Sequence, residues 1–249
     1  MFTLMTVNKE LRDILNGYHD SIKSKIRENK LDEAIYLVDS LSATFKFPPC
    51  SYDRSPCTPY SNEVSEKYEI KEYVNASFIP TSETLFIAAQ NPKDEKRDAF
   101  IDLLVKSKAN LVISLINDPK YFEEEWLQSR KVIKHMGKDL FIDEVYNVRG
   151  RSIRRLRYIN WVDFSVITQE EMETFHSYFD SIRTDPVVVH CIAGVGRTGT
   201  FIMYDILKKM KDITLDTFVD VFLNLRSKRA HLVTNKAQLE FLKDIFLKD

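Results

Sequence analysis

The sequence is poor in cysteine, glycine and proline, and these shortages exclude several architectures. The 249 residues include only 3 Cys, an odd number too small for a disulfide framework, which favours reduced thiols in a cytoplasmic compartment. With 6 Gly and 8 Pro, the chain is not collagen-like, linker-rich or of low complexity.

Long hydrophobic runs and an excess of one charge are also missing. No stretch approaches the length of about 18 apolar residues that a membrane-spanning helix needs. The apolar start, Met1–Val7, lacks the basic region and the cleavage site of a signal peptide. The chain has 36 basic and 37 acidic residues, which gives a net charge of -1, so nucleic acid is not an expected partner. We therefore expect a globular cytoplasmic protein with no membrane span.

Hydrophobic periodicity predicts an α/β (α+β) protein with one mixed sheet. Apolar residues recur at helical spacing over 11–26 and 31–41, so residues 1–45 are predicted to form N-terminal helices. Helical patterning also dominates after Gln169. We expect one domain over 1–249, a twisted mixed β-sheet flanked by helices with the N-terminal helices packed on it. The predicted strands are 73–79, 85–89, 110–116, 131–134, 140–148, 153–161 and 186–190.

The most informative stretch runs from Val187 to Phe201 and combines a strand, a loop with two glycines and a helix start. The strand ends in His190-Cys191, and a helix is predicted over 200–210. Such a loop turns backbone N–H groups toward an anion, and the helix dipole adds positive potential. We therefore predict a phosphate-binding loop between a strand and a helix N-terminus. Its residues are Ile192, Ala193, Gly194, Val195, Gly196 and Arg197.

Cys191 lies at the floor of this predicted loop, where the positive potential favours the nucleophilic thiolate. The Arg197 guanidinium suits two phosphate oxygens, and the Thr198 hydroxyl is placed to assist departure of the sulfur. A buried core cysteine is the alternative, but it explains neither the glycines nor Arg197. No other His or Cys has metal-ligand spacing with His190 and Cys191, so no metal is predicted.

The stretch resembles the signature loop of the protein tyrosine phosphatases, specifically of their tyrosine-specific catalytic domains. The resemblance covers roughly residues 40–249. It implies metal-independent hydrolysis of phosphotyrosine through a cysteinyl-phosphate intermediate, with tyrosine-phosphorylated proteins or peptides as partners and no cofactor. Further similar segments are 73–79, 86–92, 225–229 and 238–241.

Trp161-Val162-Asp163 resembles the Trp-Pro-Asp segment that family members carry on a mobile loop. The resemblance makes Asp163 the general acid. Tyrosinate leaves poorly because the pKa of a phenol is about 10, so Asp163 has to deliver a proton to it. We therefore expect a mildly acidic rate optimum. A solvated turn aspartate is the alternative interpretation.

The proline-rich stretch 47–62 is predicted to be a loop, and its segment 50–56 resembles the family's substrate loop. The resemblance implies that Tyr52 stacks on the substrate ring and walls a slot too deep for phosphoserine. The match is one residue short, and Asp53 is the acidic residue we expect to hold the peptide backbone. A surface-loop aromatic is the alternative for Tyr52.

Three positions depart from the family pattern. Val162 replaces a proline, whose fixed φ restricts the conformations of the loop that carries Asp163. We therefore expect this loop to close with a different frequency, while Asp163 remains the general acid. Thr234 replaces the glutamine that positions the hydrolytic water, so Gln238 or Asn235 would have to help. His231 replaces a frequent glycine and would narrow the pocket rim. We therefore expect a functional phosphatase that hydrolyses its intermediate slowly.

Other interpretations stay open at this point. The basic cluster Arg149–Arg157 is either a solvated ribbon or a rim that attracts acidic phosphopeptides or anionic lipid headgroups. The altered Val162 and Thr234 favour a phosphotyrosine-binding pseudophosphatase, and a phosphatase of phosphoinositides or RNA 5′ ends is a further alternative. We expect the protein to be targeted by its surface, by its N-terminal helices or by a partner. A host-cell enzyme and an injected or viral effector are both compatible with the sequence. Nothing in the sequence indicates an oligomeric state.

Overall fold

The computed structural model describes residues 4–43, 50–54 and 62–247. Most of the predicted loop 47–62, with Cys57, lies outside the described residues. The α-helices are α1 (Leu4–Gly17), α2 (His19–Arg27), α3 (Leu31–Ser42), α4 (Glu63–Lys67), α5 (Arg97–Ser107), α6 (Gln169–Ser181), α7 (Gly196–Lys208), α8 (Leu215–Lys228) and α9 (Lys236–Phe246). The strands are β1 (Ala76–Pro80), β2 (Leu85–Gln90), β3 (Leu111–Ser114), β4 (Leu127–His135), β5 (Lys138–Val148), β6 (Arg151–Tyr158) and β7 (Val187–Cys191).

The strands form one mixed sheet in the order β1-β2-β7-β3-β6-β5-β4. The central strands β2, β7, β3 and β6 are parallel, and antiparallel strands flank them on both sides. Strand β7 therefore lies between β2 and β3, with His190 opposite both Ala89 and Ser114. Ligands bind at the carboxyl ends of parallel strands in open α/β sheets, and the loop after β7 leaves the sheet there. The predicted mixed α/β fold is confirmed.

Side chains alternate along β7 between the two faces of the sheet. Val187, Val189 and Cys191 belong to the hydrophobic cluster that also contains residues of α6, α7, α8 and α9. Val188 belongs to the cluster on the other face, together with α5. His190 follows Val188 on that face, and its ring lies 5.7 Å from that of Phe100. The period of two thus directs Cys191 toward α7 and His190 toward α5.

The predicted N-terminal helices are present, but the helical pattern over 11–26 is divided at Tyr18 into α1 and α2, and α3 covers the pattern over 31–41. Their buried residues Leu15, Ile22 and Ile26 belong to the same cluster as Cys191. Helices α1 and α2 pack against α8, whereas α3 packs against α9. The N-terminal helices therefore lie against the helices that follow the predicted phosphate loop. No helix among the described residues is long and apolar enough to cross a membrane.

Most predicted boundaries differ from the structure by a few residues, and two of the differences have a clear physical cause. Helix α7 begins at Gly196, although its glycines led us to predict a start at Thr200. A Cβ on Gly199 would lie 2.3 Å from the Val233 amide nitrogen, so tertiary packing requires glycine inside this helix. Strand β1 begins at Ala76 rather than Tyr73, because the preceding side chains bind the substrate-loop segment instead.

Candidate active site

Residues 192–195 form a tight loop between β7 and α7. Gly194 adopts a φ of 71°. A Cβ at this position would lie 2.1 Å from the carbonyl oxygen of Ala89 on β2. Glycine is therefore required both by the left-handed backbone and by the close approach to the neighbouring strand.

Buried Arg229 fixes the orientation of the peptide groups in this loop. Its Nε donates to Gly194 O at 2.8 Å and its Nη2 to Ala193 O at 3.1 Å. In a planar trans peptide the N–H and the C=O point in opposite directions. Because Arg229 holds these two carbonyl groups on its own side, the N–H groups of Gly194 and Val195 point away from Arg229. The same guanidinium donates to Ser77 Oγ at 3.1 Å and Asn75 Oδ1 at 2.7 Å. Burial lowers the pKa of Arg229 to about 10, while charge on Cys191 opposes this shift.

Cys191 ends β7 directly before the loop, and it is a free cysteine with 3% exposure. The first intrahelical bond of α7 runs from Gly199 N to Val195 O, so the N–H groups of 196–198 point out of the helix start. These groups and the helix dipole favour an anion in front of α7. The Thr198 hydroxyl is buried without a hydrogen-bond partner among the described residues, so its contact with sulfur stays a prediction.

His190 is a neutral structural support behind this cysteine. Burial lowers its pKa to about 3. Its Nδ1 lies 3.1 Å from Cys191 O, which can only accept, so we assign the ring proton to Nδ1. Nε2 then accepts from the Tyr121 hydroxyl at 2.8 Å. The bond fixes the carbonyl group of Cys191, which also accepts from Asn91 N.

Arg197 brings the acid loop, residues 161–165, to the phosphate loop. Its Nη1 donates to Trp161 O at 2.6 Å, and its Nη2 donates to Asp163 Oδ1 at 3.0 Å. Arg197 is buried, and its Nε has no partner within the described parts of the chain. The Asp163 side chain is about half exposed, at 47%. The structure thus brings Arg197 and Asp163 into contact, and Arg197 belongs to the helix that follows Cys191. The catalytic roles of the three residues stay predictions.

The acid loop is a compact turn. Trp161 Nε1 donates to Ser165 O at 3.0 Å, and Ser165 Oγ donates to Val162 O at 2.7 Å. Phe164 has a φ of 60°. Its carbonyl oxygen accepts from Asn235 Nδ2 at 3.0 Å, which connects the acid loop to the start of α9. Val162 is exposed, so the residue that replaces proline packs against little of the protein.

The segment before α9 lies against the start of α7. Gln238 is buried, accepts from Thr234 N at 2.9 Å and lies beside Gly196. The Thr234 hydroxyl donates to His231 O at 2.9 Å. Asn235 caps α9 through its side-chain oxygen while its amide binds the acid loop. Of the two residues expected to help position water, Gln238 therefore lies beside the phosphate loop and Asn235 is occupied with Phe164.

His231, which the sequence predicts at the pocket rim, is held by the N-terminal helix α3. Its Nδ1 lies 2.9 Å from Asp39 Oδ1, and this carboxylate also accepts from the buried Arg226. Burial raises the pKa of Asp39, but His231 and Arg226 outweigh this effect and hold it below its usual value. His231 adopts a φ of 64°. The His231 ring is therefore fixed through a contact that the sequence did not reveal, and its place at the pocket rim stays a prediction.

The substrate-loop residues have partners within the protein. Lys96 Nζ lies 4.3 Å from the centre of the Tyr52 ring, whose centre is 5.9 Å from that of Tyr73. Asp53 accepts from Tyr73, from Asn75 Nδ2 at 2.9 Å and from Cys50 N at 3.1 Å. Asp53 is thus linked through Asn75 to Arg229. The predicted contacts of Tyr52 and Asp53 with substrate stay predictions.

The arginines of the basic cluster 149–157 serve mainly to hold the sheet together. Arg155 and Arg157 both bind the buried carboxylate of Glu144. Arg154 lies 3.3 Å from Asp143, and Arg149 binds Asp102. Four of the five arginines in the cluster therefore pair with carboxylates of the protein, while Arg149 and Arg154 stay partly exposed. Among the described residues, no group of three or more His, Cys, Asp or Glu is placed to hold a metal ion.

The sequence indicated no role for Arg229, Asn75 or Tyr121. The only signal was that 73–79 and 225–229 lie in segments resembling the family, which does not say that their side chains meet. Arg229 and Asn75 are 154 residues apart in the chain, and their contact depends on the tertiary fold.

Comparison with known proteins agrees with this geometry. A family model described as protein-tyrosine phosphatase matches residues 49–248. Tyrosine-protein phosphatase non-receptor type 20 of Homo sapiens is 26% identical over 220 residues, covering 76% of this chain and 52% of that protein. Receptor-type tyrosine-protein phosphatase epsilon of Rattus norvegicus is 29% identical over 207 residues, covering 71% of this chain and 29% of that protein. The chain spans about half or less of the length of these relatives.

Solved structures share the fold. PTPN18 in complex with HER2 phosphopeptides matches with a TM-score of 0.69 and 18% identity, covering 92% of this chain and 96% of that one. The catalytic domain of human protein tyrosine phosphatase non-receptor type 18 has a TM-score of 0.63 and 19% identity, covering 89% and 96% respectively. Since the family model matches most of the chain, this protein belongs to the protein-tyrosine phosphatase family, whose members are hydrolases.

Proposed function

We propose that this chain hydrolyses phosphotyrosine in proteins or peptides through a cysteinyl-phosphate intermediate, without a metal or other cofactor. One arrangement carries the proposal: Cys191 ends β7 in front of the start of α7, and Arg197 of that helix binds Asp163 at 3.0 Å. A nucleophile, an anion-binding cation and a proton donor therefore share one site. We further propose that residues 1–249 form one phosphatase domain with residues 1–45 packed on it, as one hydrophobic cluster from Leu11 to Leu242 supports.

In the first step, the Cys191 thiolate attacks phosphorus and forms an S–P bond while the bond from phosphorus to the tyrosine oxygen breaks. Asp163 gives its proton to that oxygen, so tyrosine leaves as a neutral phenol. The N–H groups of the phosphate loop, residues 192–196, and the Arg197 guanidinium stabilise the charge that develops on the phosphoryl oxygens. Tyr52 and Asp53 are proposed to hold the ring and backbone of the substrate.

In the second step, water attacks phosphorus, Asp163 takes a proton from the water, and the S–P bond breaks. Thr198 is proposed to donate a hydrogen bond to the departing sulfur. Gln238 is proposed to orient the water because it lies beside Gly196 at the start of α7. The Thr234 hydroxyl already donates to His231 O, which supports slow hydrolysis of the intermediate.

Phosphate binding has to displace an internal ion pair. In the structure, Arg197 Nη2 donates to Asp163 Oδ1, so the cation proposed to hold phosphate and the acid proposed to donate the proton bind each other. Phosphate oxygens compete for the same guanidinium edge. We infer that substrate binding releases Asp163 to face the leaving oxygen, while the bond from Arg197 to Trp161 O keeps the acid loop nearby.

A phosphotyrosine-binding pseudophosphatase is the second candidate, and the engaged Thr234 hydroxyl favours it. Such a protein would form the complex or the intermediate and release phosphate very slowly. Turnover distinguishes the two functions, because the trapping protein binds phosphotyrosine peptide tightly with at most one turnover.

The test measures turnover of a phosphotyrosine peptide in the presence of a metal chelator. Parallel reactions use a phosphoserine peptide, a phosphoinositide and an RNA 5′ triphosphate, and Cys191→Ser is the control. We expect activity on phosphotyrosine alone, and a loss of about 10²–10⁴-fold in kcat for Asp163→Asn, the usual scale for a general acid. Preferred turnover of lipid or RNA would contradict the substrate class, and full activity of Asp163→Asn would contradict the acid assignment.

We also propose a cytoplasmic location, in a host cell or as an effector delivered there. The described cysteines Cys50 and Cys191 are both free thiols, which suits a reducing compartment. Fractionation of cells that make the protein from its native gene tests this proposal, and recovery from the secreted fraction would contradict it.

A further inference from the structure

A polar cleft of about 270 Å³ lies beside the candidate active site. Its walls come from the substrate loop, from the turn after β2 and from the loop after β3. We call it the cationic cleft. Four cations and two carboxylates line it, namely Arg54, Lys93, Arg97, Lys120, Asp94 and Asp118.

Hydrogen bonds fix one wall of the cationic cleft to the catalytic machinery. The amide of Asn91, which lines the cleft, donates to Cys191 O at 3.2 Å and to Ile192 O at 2.9 Å. The Gln90 side chain accepts from Arg54 N at 3.0 Å and donates to Tyr52 O at 2.8 Å. The cleft is therefore within reach of residues that flank a phosphotyrosine bound at Cys191.

Two of its cations are held in place without being neutralised. Arg54 donates to the carbonyl groups of Asn91 and Pro92, and Lys93 donates to Ser51 O at 2.7 Å. Neither forms an ion pair with a carboxylate in the described part of the chain. Carbonyl groups orient these side chains but leave their full charge available to a ligand.

The other charges limit which ligand fits. Arg97 pairs with Glu123, and Lys120 lies 3.7 Å from Asp118. Asp94 adds a further negative charge to the wall. The remaining positive charge matches one carboxylate better than a phosphate dianion, which would lie close to two aspartates.

We propose that the cationic cleft binds an Asp or Glu side chain of the peptide that carries the phosphotyrosine. The proposal builds on the phosphatase function above and narrows its substrate class to acidic phosphopeptides. Arg54 and Lys93 supply the main contacts. They sit on two different segments, so a single carboxylate bridges the substrate loop and the turn after β2.

The test compares peptides that differ only by Glu or Gln at each position near the phosphotyrosine. The wild-type chain should favour Glu at one position by about tenfold in kcat/KM, the lower range for a hydrogen bond to a charged group. Lys93→Gln should remove most of this preference, and Lys93→Glu should reverse it. Lys93→Gln should lower the rates on Glu peptides far more than those on Gln peptides. All rates should stay unchanged in the matched control Lys211→Gln, which removes an exposed charge between α7 and α8.

Several outcomes would overturn the proposal. These are equal rates for Glu and Gln peptides, an equal loss by Lys93→Gln on all substrates, or a stronger preference for phosphoserine than for Glu at that position. Binding of the same peptides to Cys191→Ser, followed by fluorescence anisotropy, separates this proposal from the catalytic one. If the wild-type chain lacks turnover, the Glu preference in binding and its loss on Lys93→Gln still decide whether the cleft recognises a carboxylate.

Discussion

Asn235 connects the acid loop to the start of α9, and replacing it by serine isolates that connection. Its Oδ1 caps α9 by accepting from Gln238 N, while its Nδ2 donates to Phe164 O at 3.0 Å. Serine and asparagine are about equally good helix caps. Asn235→Ser therefore keeps the cap but has no second polar atom to reach Phe164.

The size of the effect follows from this single bond. A neutral hydrogen bond contributes about 0.5–1.5 kcal/mol net. The acid loop is in equilibrium between a form bound to Asn235 and a form released from it. A free energy of about 1.4 kcal/mol changes an equilibrium constant tenfold, so loss of the bond lowers the ratio of bound to released loop by about 2- to 13-fold. Asp163 is on this loop, so kcat for a phosphotyrosine peptide should fall by up to that factor. The free energy of unfolding should fall by no more than the contribution of this one bond, about 0.5–1.5 kcal/mol.

Steady-state kinetics and urea unfolding of three proteins check this prediction. Asn235→Ala is the matched control, because it removes the bond to Phe164 and also the cap, which costs about 0.5–2 kcal/mol of stability. The two variants should share the loss in kcat and differ in stability. A wild-type kcat for Asn235→Ser, or equal destabilisation of both variants, would refute the reasoning.

Three further predictions concern the scaffold of the site. Gly194→Ala should abolish phosphotyrosine turnover, since its Cβ would lie 2.1 Å from Ala89 O; wild-type activity would show that the loop tolerates a side chain. Asp39→Asn should lower the free energy of unfolding by about 3–5 kcal/mol, because it leaves the buried charge of Arg226 unpaired; urea unfolding measures this, and a loss below about 1 kcal/mol would contradict it. Burial lowers the pKa of His190 to about 3 from its ordinary 6.5. As the pH falls below 6.5, His190 therefore takes up a proton only in the unfolded state, and the free energy of unfolding decreases. The slope of unfolding free energy against pH should therefore be steeper in wild type than in His190→Gln by up to about 1.4 kcal/mol per pH unit, and equal slopes would count against it.

Periodicity and the signature motif predicted much of this architecture from the sequence. Side chains alternate between the two sheet faces along β7, and α1, α2 and α3 each bury one face. Both arrangements produce a regular spacing of apolar residues that is visible in the sequence. That Arg197 and Asp163 share one site was expected from the signature motif for Arg197 and from a family resemblance for Asp163.

The remaining features depend on contacts between distant segments. The start of α7 was predicted too late because Gly196 and Gly199 are poor helix formers. Glycine occurs at these positions because a side chain there would collide with Gln238 and with the backbone of Val233. The Arg149–Arg157 cluster looked like a surface feature until the fold placed the buried Glu144 beside it. Spacing within a sequence does not encode such partners, so they had to come from the structure.

The central claim is that the Cys191 sulfur takes up the phosphoryl group. Rapid mixing with a phosphotyrosine peptide, acid quenching and mass spectrometry of the digested chain test this directly. We predict the mass of one phosphoryl group on the fragment that contains Cys191, formed as fast as tyrosine is released and absent in Cys191→Ser. Steady turnover with an unmodified Cys191, or with the label on another residue, would contradict it.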